Sequence, residues 1–186
     1  MKIAFAFLLS MPGAPFIYYG DEIGLRYVEG LTSVEGGYGR TGSRSPMQWD
    51  KTPNAGFSSA PAEKLYVRQD DAPDRPDATS QCADEMSLRS EVKRLIALRM
   101  AHPALQSKGT VSFLSDNYPL AYVRSSAEES ILVIINPSAA PAILSAEELC
   151  ALNKELLYTI GGTVKENADH ALQVDGGTAA FISLTK

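Results

Sequence analysis

Apolar and polar positions change rhythm along this chain. After Lys2 comes a nearly unbroken apolar run, Ile3 to Leu9, which stops before Pro12. Such a run fits a short buried helix, and it also fits the charged start and apolar stretch of a secretory signal, with the small residues of Ser10 to Pro15 as a cleavage region. It is too short to cross a bilayer. Phe16-Ile17-Tyr18-Tyr19, bounded by Pro15 and Gly20, predicts a buried strand with Tyr18 and Tyr19 on opposite faces.

From Asp21 to about Ala83 periodicity disappears and Gly and Pro punctuate the chain. Irregular stretches of that length are either functional or disordered. Tyr38, Met47, Trp49, Phe57, Leu65, Tyr66 and Val67 supply apolar anchors, which predicts order in the first half, whereas Asp70 to Gln81 is polar and proline-containing and predicts a solvated segment. Leu88, Val92, Leu95, Ile96 and Met100 then keep helical spacing, which predicts a helix from about Glu85 to Ala101 with those residues as its buried stripe and Pro103 as its stop.

Beyond Gly109 the texture becomes short β-like runs: Thr110–Leu114, Leu120–Arg124, Ile131–Asn136, Ala142–Leu144, Glu155–Ile160, Ala171–Val174 and Thr178–Leu184. Turn residues separate them and no helix intervenes, so an antiparallel sandwich is predicted rather than a parallel sheet. The domain boundary is placed near Lys108.

Composition narrows the function classes. The net charge of -5 comes from interspersed signs, and there is no basic stripe of the kind that binds a nucleic acid backbone. Cys82 and Cys150 are far apart and lie near no ligand-spaced histidine, which argues against a zinc site and reads as free thiols in a reducing cytoplasm. No calcium loop motif is present. His102 and His170 lack a nucleophile or carboxylate at motif spacing, so both are expected to be structural or on the surface.

In order along the chain, Phe5 to Gly24, the segment Arg44-Ser45-Pro46-Met47-Gln48-Trp49-Asp50 with Asn54 to Ser58 behind it, and Ser87 to Leu105 resemble the α-amylase superfamily, glycoside hydrolase family 13, and within it the oligo-1,6-glucosidase and α-glucosidase-like members. The match runs through the supposed cleavage region and so favours the buried helix over a signal. The resemblance implies an α+β fragment: residues 1–108 as the last part of a (β/α)8 barrel, with its seventh helix, eighth strand, long eighth loop and closing helix, followed by an antiparallel β-sandwich over 109–186. Ser45 stands where the relatives usually carry Thr.

Retaining cleavage of an α-glucosidic bond needs two carboxyl groups about 5–5.5 Å apart. In the family they come from earlier strands, so the resemblance implies no catalytic residue in this sequence, no metal and no cofactor. Asp21 and Glu22, being adjacent, cannot both converge on one anomeric carbon and are expected to accept backbone N–H bonds or pair with loop arginines.

What the resemblance does imply is recognition of an α-linked gluco-oligosaccharide, with Arg44 as the main contact and Arg40 and Tyr38 as rim contacts. The competing role for Arg44 is an ion pair pinning its own loop, and for Trp49 an anchor in the loop core rather than a stacking platform. The chain is expected to be inactive alone and to need the N-terminal part of the barrel or to self-associate. The competing function is a non-catalytic sugar-binding or self-associating remnant. Neither nucleic acid nor membrane is expected as a partner.

Overall fold

In the computed structural model, which describes residues 1–115 and 117–185, the chain is an α+β protein whose strands are all antiparallel. It divides into two compact units: Met1–Pro15 with Arg94–Lys186, and Phe16–Lys93. The division falls within a helix, and the first fifteen residues belong with the β-rich unit.

In that unit, helix α1 (Lys2–Ser10) buries Phe5, Ala6, Leu9 and Ser10. The strands are β1 (Thr110–Ser115), β2 (Leu120–Ser125), β3 (Ser130–Asn136), β4 (Ala142–Leu144), β5 (Asn153–Ile160), β6 (Val164–Glu166), β7 (Leu172–Val174) and β8 (Thr178–Thr185). One sheet runs β1-β2-β3-β8-β5 and a smaller one β4-β7-β6. Their register sets Leu132 opposite Ile182 and Ile134 opposite Ala180.

Leu132, Ile134 and Ile182 of the larger sheet form one core with Leu144, Leu172 and Val174 of the smaller. Buried Asn136 ties the sheets at one end, its amide donating to the carbonyls of Ala140, Val174 and Asp175. Because β3 is buried on both faces, its sequence is a continuous apolar run rather than an alternation.

On the other face of the larger sheet Tyr122 lies fully buried, with Phe7 at its ring edge and its hydroxyl 2.6 Å from the Ser10 hydroxyl. Burial pushes the Tyr122 phenol up to about 12. The end of α1 is held by two buried arginines. Arg99 donates to the carbonyls of Leu9, Met11 and Gly13 at 2.7–2.8 Å. Arg124, with no exposed surface, donates to Ser10 and to Thr110, Gln106 and Gly109.

These bonds set which face of the helix that carries Arg99 turns inward. Helix α3 (Leu88–Ala101) buries Val92, Leu95 and Arg99, while Ile96 and Met100 are 40% and 70% exposed. The expected stripe is rotated because the inward position goes to the side chain that satisfies the open carbonyls of α1. Ser87 caps α3 by accepting the Ser90 N–H.

The second unit is mostly irregular. The strand expected over Phe16–Tyr19 does not form. The segment joins no ladder, and it ends in a turn where Asp21 N–H donates to the Tyr18 carbonyl. Tyr18 and Tyr19 accordingly do not point apart; their ring centroids are 4.7 Å from each other.

Asp70 to Gln81 is not solvated throughout either, because its carboxylates are spent inward. Asp70 is buried against Arg26 at 3.1 Å. Asp77 is buried at the start of α2 (Ala78–Ala83), where it accepts the Ser80 N–H and pairs with Lys51 at 2.9 Å.

Candidate functional site

The segment Tyr38–Arg44 is built as a tight 3-10 turn. Thr41 N–H donates to the Tyr38 carbonyl, Arg44 N–H to the Thr41 carbonyl, and the Thr41 hydroxyl accepts the Tyr38 N–H at 3.1 Å. Gly42 makes the turn possible. Its carbonyl accepts the Val28 N–H at 2.9 Å, and any Cβ there would run into the Val28 carbonyl and the Tyr27 ring.

With Thr41 and Gly42 turned inward, Arg40 and Arg44 are exposed at either end of the turn. The Arg40 guanidinium sits over the Tyr38 ring at 5.5 Å from its centroid, within cation–π range.

All three residues expected to contact sugar meet at one hollow of about 160 Å³, with Tyr66 and Val67 on its wall. Arg44 also lines a second, larger hollow of about 460 Å³. Its walls are aromatic, from Tyr19, Trp49, Phe57 and Tyr66, and its acidic member is Glu22. Arg44 is thus common to both cavities, and it holds no ion pair among the described residues. An ion pair by which Arg44 would pin its own loop is thus absent among the described residues.

Trp49 is likewise not a core anchor. Half of it is exposed on the hollow, while its main chain is fixed by N–H donation to the Ala55 carbonyl and by accepting the Thr79 N–H, both 2.9 Å.

The carboxylates near the hollow are engaged in local turns. Asp21 accepts the Tyr18 N–H at 3.2 Å and Glu22 the Gly20 N–H at 2.8 Å. Burial and the neighbouring Tyr18 push the Tyr19 phenol above its ordinary value, with Arg44 acting the other way. Its hydroxyl donates to the Ser45 carbonyl at 3.1 Å, which fixes the first residue of the buried run Ser45–Gln48.

Phe57, Tyr66 and Glu22 line the larger hollow beside Arg44, and of these Tyr66 carries no motif in the sequence. Tyr66 reaches the hollow because Val67 bridges to Ser33 and the Tyr66 carbonyl accepts the Val34 N–H, a closure between segments far apart in sequence.

Among the described residues no group of His, Cys, Asp and Glu could hold a metal ion, and no helix is long and apolar enough to cross a membrane.

The larger hollow thus combines aromatic walls with the Arg44 guanidinium, which makes no ion pair among the described residues, and with Glu22, which is engaged by a backbone N–H. Comparison with known proteins identifies what the chain is similar to. The chain is 37% identical over 145 residues to the trehalose synthase/amylase TreS of Mycobacterium tuberculosis, which covers 73% of this chain and 23% of TreS. It is 31% identical over 196 residues to a probable alpha-glucosidase of Rhizobium meliloti, covering 98% of this chain and 34% of that protein.

Among solved structures, the trehalulose synthase MutB of Pseudomonas mesoacidophila MX-45 superposes with a TM-score of 0.81 at 24% identity over 99% of this chain and 38% of MutB, a likeness of fold. The chain therefore spans about a third or less of the length of the relatives it matches. Since the alpha amylase catalytic domain matches residues 1–108, more than half of the sequence and all of the segment that builds the hollow, the chain belongs to the alpha-amylase family.

Proposed function

We propose that this chain supplies the substrate-recognising wall of an enzyme that hydrolyses or transfers α-linked glucosyl units, and that the reacting carboxylates are not among its residues. Residues 1–108 would be the closing part of a (β/α)8 barrel and 109–186 an appended β-sandwich. The observation that carries this reading is Arg44. Its guanidinium, in no ion pair among the described residues, stands at the rim shared by an aromatic hollow and the smaller one lined by Tyr38 and Arg40.

A planar fork of N–H donors beside aromatic faces suits vicinal sugar hydroxyls above a stacked pyranose ring. Asp21 and Glu22 are adjacent and occupied by backbone N–H groups, so they do not supply the two facing carboxyls of a retaining glycosidase. Alone, the chain is expected to bind and not to cleave. The exposed, unbridged Cys82 and Cys150 support a reducing, cytoplasmic setting.

Calorimetric titration with maltose and isomaltose tests the reading. Binding by the wild-type chain that is lost in Arg44→Ala supports it, and binding that survives Arg44→Ala overturns the assignment. Release of glucose from either sugar by the chain alone would overturn the claim that it lacks the reacting groups.

The self-associating remnant is favoured by one observation, the exposure of Phe16, Tyr18, Tyr27 and Tyr66 at between 52% and 88%. Sedimentation separates the two: concentration-dependent association that maltose does not affect supports the remnant.

A further inference from the structure

The irregular unit holds another hollow, of about 440 Å³, which does not include Arg44, Arg40 or Tyr38. Its volume is in the range of small-molecule sites. Its polar lining comes from Glu29, Asn54, Arg68, Gln69, Asp71 and Arg75, over apolar patches from Leu31 and Leu65. Two acids and two guanidiniums line one cavity. Even so, Glu29, Arg68 and Asp71 are in no ion pair among the described residues, and among them the Arg75 side chain donates only to the Asp70 carbonyl, at 3.3 Å.

The wall is also incompletely satisfied. The Gln69 amide nitrogen donates to the carbonyls of Met47 and Asn54, but among the described residues its oxygen has no partner, and neither does Nε of Arg75. These two atoms are buried in the wall, so a ligand reaches them only if the side chains turn. The groups on hand without that movement are Glu29, Arg68 and Asp71.

We propose that this hollow binds a neutral, polyhydroxylated molecule of about hexose size, at a site separate from the Arg44 hollow. The choice follows from the balance of the lining. An anion facing Arg68 and Arg75 is repelled by Glu29 and Asp71, and a cation facing the acids is repelled by the guanidiniums. A hydroxyl both donates and accepts, so one ring of hydroxyls serves the carboxylates of Glu29 and Asp71 and the guanidinium of Arg68 together. Leu31 and Leu65 offer the apolar surface that the C–H face of a sugar or polyol requires.

One rim is prebuilt. Asn54 and Ala55 both stand at φ 54°, a left-handed conformation, and the Asn54 amide holds the bend by donating to the carbonyls of Ser58 and Ala60.

The test is an NMR titration of the intact chain with glucose, with sorbitol, with inorganic phosphate and with calcium. Amide shifts at Gly30, Arg68 and Asp71 with glucose or sorbitol, retained in Arg44→Ala, support the site. So does an affinity lowered about tenfold in Arg68→Ala and in the isosteric Asp71→Asn, each with a wild-type melting curve.

Three results overturn it: no shift of those amides with either hydroxylated probe, stronger shifts with phosphate or calcium than with glucose, or loss of the shifts in Arg44→Ala. Retention in Arg44→Ala also keeps this result distinct from failure of the recognition role assigned to Arg44.

Discussion

Arg99 and Arg124, two groups of like charge, close on the same end of α1: Arg99 bonds the carbonyls of Leu9, Met11 and Gly13, and Arg124 that of Ser10. The last turn of a helix leaves carbonyls open and carries partial negative charge, so it accepts guanidinium donors in place of carboxylates. Burial lowers the affinity of both arginines for their proton, and Arg99 lowers that of Arg124 further.

Arg99→Leu and Arg124→Leu should each destabilise the chain by about 3 kcal/mol, through carbonyls left buried without donors. Because the two charges repel, each single change also relieves the other. The double variant should lose more than the sum of the singles, and urea unfolding of all four proteins measures the excess. A double loss smaller than the sum would show that the two arginines do not repel.

Tyr122 makes stability depend on alkaline pH. Its folded value of about 12 lies above the ordinary 10.0. The folded state therefore holds the phenolic proton more tightly. The corresponding stability is fully present below pH 10 and is lost as pH rises through 12. The difference amounts to about 3 kcal/mol. Urea midpoints between pH 9 and pH 12 should fall steeply for the wild type and more gently for Tyr122→Phe. Equal slopes would remove Tyr122 as the cause.

Gln48 is fully buried, yet neither its amide oxygen nor its nitrogen has a partner among the described residues. Unpaired buried polar atoms cost about 1–3 kcal/mol, and an apolar side chain of similar shape removes that cost. Gln48→Met should raise the unfolding midpoint. A lower midpoint would show that the amide is bonded in solution.

The legibility of the sequence follows from which interactions are local. The strands between Thr110 and Thr185 could be read because their apolar runs are cut by turn residues, and only the short and partly exposed β6 escaped. Phe16–Tyr19 has strand composition, but being a strand requires hydrogen-bonded neighbours, which the described residues do not provide. Buried Arg99 and Arg124 were not legible, since a charge is tolerated inside only where distant carbonyls meet it. Arg44 stood out by motif, whereas Phe57 and Tyr66 reach the same hollow through loop closures that leave no periodic trace.

Trp49 offers a direct report on that hollow, because it is the sole tryptophan in the sequence and half of it is exposed on the wall that Arg44 shares. Water at the indole predicts red-shifted emission from the native chain. A pyranose stacked on the ring displaces that water, so maltose should shift the emission to the blue, with saturation at the affinity found by calorimetry. Arg44→Ala should abolish the shift while leaving the emission of the free chain unchanged, since Trp49 is held by main-chain bonds to Ala55 and Thr79 and not by the arginine. Trp49→Ala should weaken maltose binding about fivefold, the loss expected from about 1 kcal/mol of stacking. Emission indifferent to maltose at concentrations that saturate the calorimetric signal would place the sugar away from this wall.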